Sequence, residues 1–344
     1  MVGNNPFRAG PGERPPALVG RDDHLDVIAS ALAASRMPGD VPALFAGRVL
    51  SGRTALLGAI RQMTMAASWP TFSVSLVPGA DLGVALAAAF EAHTGVAMPR
   101  PEVKRVLRGL VQLLEDNETK GLVIVIDDAD FAPIDQLCDF VSLVGQAIAS
   151  DLPVVAALSG LPNLADRMRA HAGDLGFSEH HLGSLSPDEI RAAVAGPASA
   201  VGLTFTDDGL AALIRRCRGV PAYVQMLAHH AVEAATTSSI DALVVTGAAL
   251  DAEHGATLTY YRPVHESLAP AQRRFLRALR QSGEGATFDA VRRHLGEFSR
   301  LDTGRSPARV ACDELIDLGL IYSDSNEQLH FSIAAYGAFV DTTE

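Results

Sequence analysis

Hydrophobic positions along the chain change their period twice. Between residues 18 and 160, short apolar runs alternate with stretches of helical periodicity. The runs at 43–46, 122–126 and 154–158 are apolar at consecutive positions, and 72–77 is apolar but for Ser73 and Ser75; all four are read as buried strands. Helices lie between them, and Asp22 stands as cap before an apolar stripe of Leu25, Ile28, Ala29 and Leu32. Strands of this kind alternating with helices predict an α/β fold, a parallel sheet covered by helices on each face.

After residue 185 the strand signals stop, and segments 187–195, 207–217, 221–235 and 241–249 read as helices. From Tyr261 onward the pattern changes again. Helices are predicted at 270–280, at 289–295 and from Ser306-Pro307, followed by strands at 320–323 and 328–332 around the turn Asp324-Ser325-Asn326. Three helices and a terminal hairpin predict a winged helix-turn-helix. Ahead of all this, residues 1–16 hold four prolines and three glycines and are expected to form an extended arm with no core of its own. The expected division is arm 1–16, core 17–184, helical domain 185–260 and winged helix 261–344.

Candidate chemistry concentrates after the first strand, where Gly47-Arg48-Val49-Leu50-Ser51-Gly52-Arg53-Thr54 precedes an apolar helix. The spacing is strand, G-x-x-x-x-G-basic-[ST], helix. Its glycines let consecutive N–H groups turn toward a phosphate at a helix N-terminus, and Thr54 is placed to offer a hydroxyl to Mg2+. Arg53 stands where the motif has lysine; its planar fork keeps the charge and changes the geometry. The run 122–126 followed by Asp127-Asp128 has the form of a Walker B strand, acids at the carboxyl end of a buried strand. Asp127 is the expected Mg2+ ligand, through water, and Asp128 the expected general base for an attacking water. Asp128 is one methylene shorter than the usual glutamate, a retreat of ~1.5 Å where ~1 Å can cost ~100-fold, so slow hydrolysis is expected.

These motifs together resemble the AAA+ P-loop ATPases, and more closely the origin-recognition-like and STAND-like actinobacterial type with a C-terminal winged helix. Leu18-Val19-Gly20-Arg21 is similar to the box that closes over adenine, with Val19 and Gly20 as cofactor contacts; Ser159, before Gly160-Leu161-Pro162, is similar to sensor 1; Gly219-Val220-Pro221 is similar to the element that opens the lid helix against the nucleotide. The resemblance implies that residues 47–54 bind the β and γ phosphates, that Ser159 touches the γ-phosphate or water, and that 185–260 is a lid. It leaves sensor 2 open among Arg215, Arg216 and Arg218, and an arginine finger open between Arg167 and Arg169. Three readings stand: a nucleotide-dependent switch with slow or assembly-dependent hydrolysis; an active motor or loader acting on DNA; and a DNA-binding or scaffolding module with a degenerate nucleotide site.

Composition narrows the partners. With 48% hydrophobic and 20% charged residues the chain is of globular type, and its 28 basic against 40 acidic residues, net −12, exclude broad attraction to polyphosphate or anionic membranes. Residues 273–309 reverse the sign with nine arginines against four acids, and Arg273, Arg277, Arg280, Arg305 and Arg309 are the candidates for contact with duplex DNA. The helix expected to enter the groove carries Asp313, Glu314 and Asp317, which oppose phosphate. The alternative is that the winged helix packs on the core or on a partner protein, its arginines facing acids of the first domain. Three scattered cysteines, no metal-ligand spacing, no apolar run near ~18 residues and no leader-like start lead us to expect a soluble cytoplasmic protein.

Overall fold

The computed structural model describes residues 5–8, 10, 13–33, 41–99, 101–116, 120–283, 285–296, 306–324 and 326–342. Its first part runs α1 (Asp22–Ala33), β1 (Ala43–Gly47), α2 (Arg53–Ala66), β2 (Thr71–Ser75), α3 (Leu82–Thr94), α4 (Val103–Asp116), β3 (Leu122–Asp127), α5 (Ile134–Ala149), β4 (Val154–Gly160), α6 (Leu164–Ala172) and β5 (Ser178–Leu182). The five strands form one parallel sheet in the order β2-β3-β4-β1-β5. β1, β3 and β4 are buried along their whole length, as uninterrupted apolar runs require. Their side chains divide strictly by parity. Leu44, Ile124, Ala156 and Leu158 pack with α3, α4 and α5, while Phe45, Val123, Val125 and Ala157 pack with α1 and α2. β5, Ser-Glu-His-His-Leu, is an edge strand with no apolar run, so the hydrophobic pattern does not announce it.

The adjacency of β3, β4 and β1 decides where the chemistry lies. Phe45 is in register with Ser159 and Ile126 with Leu158, so Gly47, Asp127 and Ser159 emerge side by side at the carboxyl edge. That is the edge where parallel sheets take ligands.

A helical unit follows: α7 (Pro187–Ala200), β6 (Thr204–Phe205), α8 (Asp207–Cys217), α9 (Pro221–Ala234), β7 (Ser239–Ile240) and α10 (Ala242–Ala256). Local capping places these helices. Ser186 and Glu189 form a capping box ahead of α7, and Thr206 and Asp241 cap α8 and α10. The parallel pair β6 and β7 was not expected; two residues are too few to carry a period. A π-helical turn, Thr257–Tyr261, leads into α11 (Arg262–Ser267), α12 (Pro270–Ser282), β8 (Ala286–Thr287), α13 (Phe288–His294), α14 (Pro307–Asp317), β9 (Ile321–Ser323), β10 (Gln328–Phe331) and α15 (Ala334–Thr342). The last strands form an antiparallel sheet in the order β8-β10-β9.

One continuous core runs through both of these units, from Val194 and Leu227 to Phe275 and Leu315, and it admits three residues from elsewhere: Phe7, Val49 and Leu50. Phe7 is fully buried, edge-on to Phe205 at 6.3 Å. Asn5 Nδ2 donates to the His229 carbonyl at 3.0 Å, and His229 Nδ1 lies 2.9 Å from the Phe7 carbonyl. The arm therefore borrows the core of the helical unit, a tertiary contact that its Pro- and Gly-rich composition does not reveal. Among the described residues no helix is long and apolar enough to cross a membrane.

Truncating that anchor is expected to destabilise the fold by about 3–5 kcal/mol, the usual range for a buried phenylalanine. Urea unfolding of Phe7→Ala measures it, with the exposed Arg8→Ala expected to stay within about 0.5 kcal/mol of the parent.

Candidate functional site

The loop after β1 lines a cavity and also touches two later helices. Gly52 takes φ 85°, a left-handed conformation that costs glycine little, and so turns the chain into α2, whose first residues Arg53, Thr54 and Ala55 line the cavity. Leu50, φ 67°, shares the left-handed region without being glycine. Its carbonyl accepts from the Ala222 N–H at the start of α9 (3.1 Å), and the Val49 N–H donates to the Leu318 carbonyl at the end of α14 (3.2 Å). Gly319, next in line, approaches so closely that a Cβ there would fall 2.8 Å from the Arg48 Cβ.

Around this loop lies a cavity of about 550 Å3, within the range of a nucleotide-sized ligand. Val19, Arg48, Val49, Leu50, Ser51, Gly52, Arg53, Thr54, Asp128 and Pro221 line it, which unites ten of the residues singled out in the sequence. Four buried side-chain atoms on the same cavity have no hydrogen-bond partner among the described residues: Ser51 Oγ, Asp130 Oδ1, Asn163 Oδ1 and Gln225 Oε1. Buried polar atoms are rarely left so, and their convergence on one space fits a polar ligand.

Arg53 is not extended into the cavity. Its guanidinium donates to the Gly47 carbonyl and to Asp128 Oδ1, both at 2.8 Å. Asp128 itself sits at φ 52°. Burial pushes its carboxyl up to about 6 against the pull of Arg53, with Asp127 and Asp130 adding to the rise. Asp130, more deeply buried, is raised for the same reason, although the Leu161 N–H donates to its Oδ2 at 2.7 Å.

Asp127 and Ser159 lie behind the cavity wall. Ser159 is completely buried, its hydroxyl donates to Asp127 Oδ1, and its oxygen accepts from the Asp128 N–H at 3.2 Å. In this arrangement Ser159 orients Asp127. Gly20 and Gly47 likewise shape the backbone behind the lining.

Residues that the motifs did not single out complete the site. Arg21 is buried, its pKa lowered by desolvation with Glu189 opposing, and it donates to the carbonyls of Gly20 (2.8 Å), Ser51 (3.1 Å) and Gly183 (2.8 Å). It ties the loop to the strand that follows the core helices. Arg167 lines this chain's own cavity with its guanidinium 3.9 Å from Asp130, whereas Arg169 turns away to pair with Glu179 at 2.9 Å. Arg215, Arg216 and Arg218 line a different cavity. Arg8, Glu13 and Tyr260 line the cavity from the arm and the π-helical turn.

The arginines proposed for DNA are divided. Arg305 lies outside the described residues. Arg273 donates to the Glu266 carbonyl at 3.4 Å, Arg280 pairs with Asp341 at 2.8 Å, and Arg309 stacks 3.7 Å above the Phe288 ring. These partners belong to the C-terminal unit itself and not to acids of the first domain. Arg277 shares a shallow groove with Arg274 and His294.

The donors present fit a nucleotide. Thr54 and Asp127 would hold Mg2+ with water and phosphate oxygens completing its shell, since among the described residues no group of three or more His, Cys, Asp or Glu is placed to hold a metal alone.

A family model described as Novel STAND NTPase 1 matches residues 16–334. The fold is similar to that of the Walker-type ATPase PABY2304 of Pyrococcus abyssi, with 13% identity, 95% of this chain and 97% of that chain covered, and TM-score 0.67. It is similar to Aeropyrum pernix ORC2, described as ADPNP-ADP complexes, with 14% identity, 97% and 96% covered, and TM-score 0.62. Pyrobaculum aerophilum Cdc6p gives 15% identity, 97% and 96% covered, and TM-score 0.56. At such identities the likeness is one of fold. No curated protein matches the chain.

The raised carboxyl makes a sign prediction. Because Asp128 binds its proton more tightly folded than unfolded, the parent loses stability as pH rises from about 4 to about 6, and the loss is complete above that window. Asp128→Asn removes this dependence. Calorimetric melting at pH 4.5 and pH 7 should show the variant gaining on the parent at the higher pH.

Proposed function

We propose that this chain, which belongs to the Novel STAND NTPase 1 family, is a nucleotide-dependent switch that binds ATP with Mg2+ and hydrolyses it slowly. The observation that carries this reading is the double engagement of Arg53 by the Gly47 carbonyl and by Asp128. The cation that would meet the phosphates and the carboxylate that would activate water neutralise each other across 2.8 Å. An incoming triphosphate competes for Arg53, and only then is Asp128 released to accept a proton from water. Mg2+, when bound, neutralises phosphate charge.

We read the C-terminal unit, ordered helix, strand, helix, helix, hairpin, as a winged helix and α7–α10 as a lid; the order of elements supports this reading. Leu318 and Pro221 then bring winged helix and lid to the same loop. A phosphate that reshapes the loop acts on both, which supports a switch in which the nucleotide sets the position of the winged helix.

Duplex DNA is the second reading, favoured by Arg274, Arg277 and His294 around the first turn of α14. Gln272 donates to Glu314 at 2.8 Å, which turns one of the opposing carboxylates inward. The solved Aeropyrum pernix ORC1, described as a complex with DNA, shares the fold at 16% identity, 95% and 92% covered, and TM-score 0.50.

Equilibrium binding of a fluorescent ATP analogue, with Arg53→Ala and Asp127→Ala as controls, tests the main reading; absence of binding at millimolar nucleotide sinks it. Arg53→Lys is expected to raise steady-state phosphate release and Asp128→Asn to abolish it. Hydrogen exchange at Val49 should quicken when the analogue is added. For the second reading, Arg274→Ala with Arg277→Ala should weaken salt-dependent binding of a duplex oligonucleotide.

A further inference from the structure

Residues of α8, α12 and β10 line a second cavity of about 500 Å3. Arg215 and Arg216 reach it from the last turn of α8, Arg218 from the residue that ends that helix, Arg280 from the last turn of α12 and His330 from β10. Glu253 is the lining carboxylate, 4.0 Å from Arg216 and 3.2 Å from the Tyr223 hydroxyl. Arg280 is paired with Asp341 and His330 with Asp324. Arg215 is exposed and makes no ion pair among the described residues. Arg218 has no carboxylate partner among them either; its guanidinium lies 4.3 Å over the Tyr322 ring, which stacks in turn on His330. In a molecule of net −12, the lining keeps two arginines uncompensated.

Cations in the last turn of a helix offset the negative end of its dipole, and Arg215, Arg216 and Arg280 do so. That role is served as well by side chains extended into water. It does not account for arginines from two separate units lining one concave space, nor for the Arg218 guanidinium seated over the Tyr322 ring. Such planar, pre-oriented guanidinium groups are the usual means of holding phosphate bidentately. The enclosure is the size of a small ligand and not an open track for a nucleic-acid backbone.

We propose that this cavity is a second anion site, taking a small soluble ligand with two or more phosphate groups at the junction of the helical and C-terminal units. It is separate from the nucleotide site and stands whether or not ATP binds at residues 47–54.

Inorganic tripolyphosphate is the probe, titrated calorimetrically into the full chain carrying Arg53→Ala and Thr54→Ala so that the phosphate loop is weakened. One-to-one binding is expected to persist and to weaken about tenfold on adding Arg215→Ala and about a hundredfold on adding Arg218→Ala as well, the loss of one and then two charge-assisted contacts. Arg215→Ala removes an exposed, unpaired side chain, so its effect remains readable if Arg218→Ala melts early; Arg218→Lys, which keeps charge without the planar fork, should fall between. Loss of all binding in the loop variant overturns the proposal, as does binding indifferent to Arg215 and Arg218. A duplex oligonucleotide that displaces tripolyphosphate through these same arginines overturns it in favour of a nucleic-acid contact.

Discussion

A phosphate-binding loop has to turn its amides toward a ligand, and in this chain the same loop closes the ends of two helices. The Leu50 carbonyl satisfies an open amide at the start of α9, and the Val49 N–H satisfies an open carbonyl at the end of α14. Each group meets the helix end whose partial charge suits it. The side chains of Val49 and Leu50 point into the core shared by the helical and C-terminal units. Two consecutive residues of the loop thus help to place nearly half of the molecule against the sheet.

Electrostatics at the same place follow from a single substitution of type. A lysine has a point charge that can swing toward a phosphate; the fork of Arg53 bonds in two directions at once, and it finds the Gly47 carbonyl and Asp128. Asp128 would otherwise be an unpaired carboxylate in a largely buried position beside two more acids. The pair relieves that cost, and Asp127, fastened by Ser159, and Asp130, fastened by Leu161, hold their own places without it.

How much of this was legible in the chain divides by the range of the interaction. The buried strands, the loop at 47–54 and the acids after β3 are local patterns, readable from consecutive residues, and the family match and the solved folds agree with the parallel core. β5 escaped because an edge strand of Ser, Glu and His has no apolar signature. Ser159 and the arginines at 215–218 carried the right residue types at plausible places, yet their roles depend on which neighbour uses the side chain first. That is decided by packing across more than thirty residues of chain. Arg21 was quoted within its motif without a task; only the fold shows three carbonyls converging on it. Phe7 gave a signal, one large aromatic in an otherwise small and polar arm, which composition averaged away.

The two helix caps and the apolar loop tip also set how far the closed arrangement outweighs an open one. Two caps are worth ~1 kcal/mol each, and burial of Val49 and Leu50 contributes ~1.5–3 kcal/mol apiece, so separation costs ~5–8 kcal/mol. At that difference roughly one molecule in 10^4 to 10^6 is open at any instant, and a ligand must prefer the open state by about 5.5 kcal/mol or more to populate it. Under the proposed switch the loop would act as a threshold: weakly discriminating ligands would bind and change nothing, and only one whose contacts with the loop differ strongly between the two arrangements would produce a response.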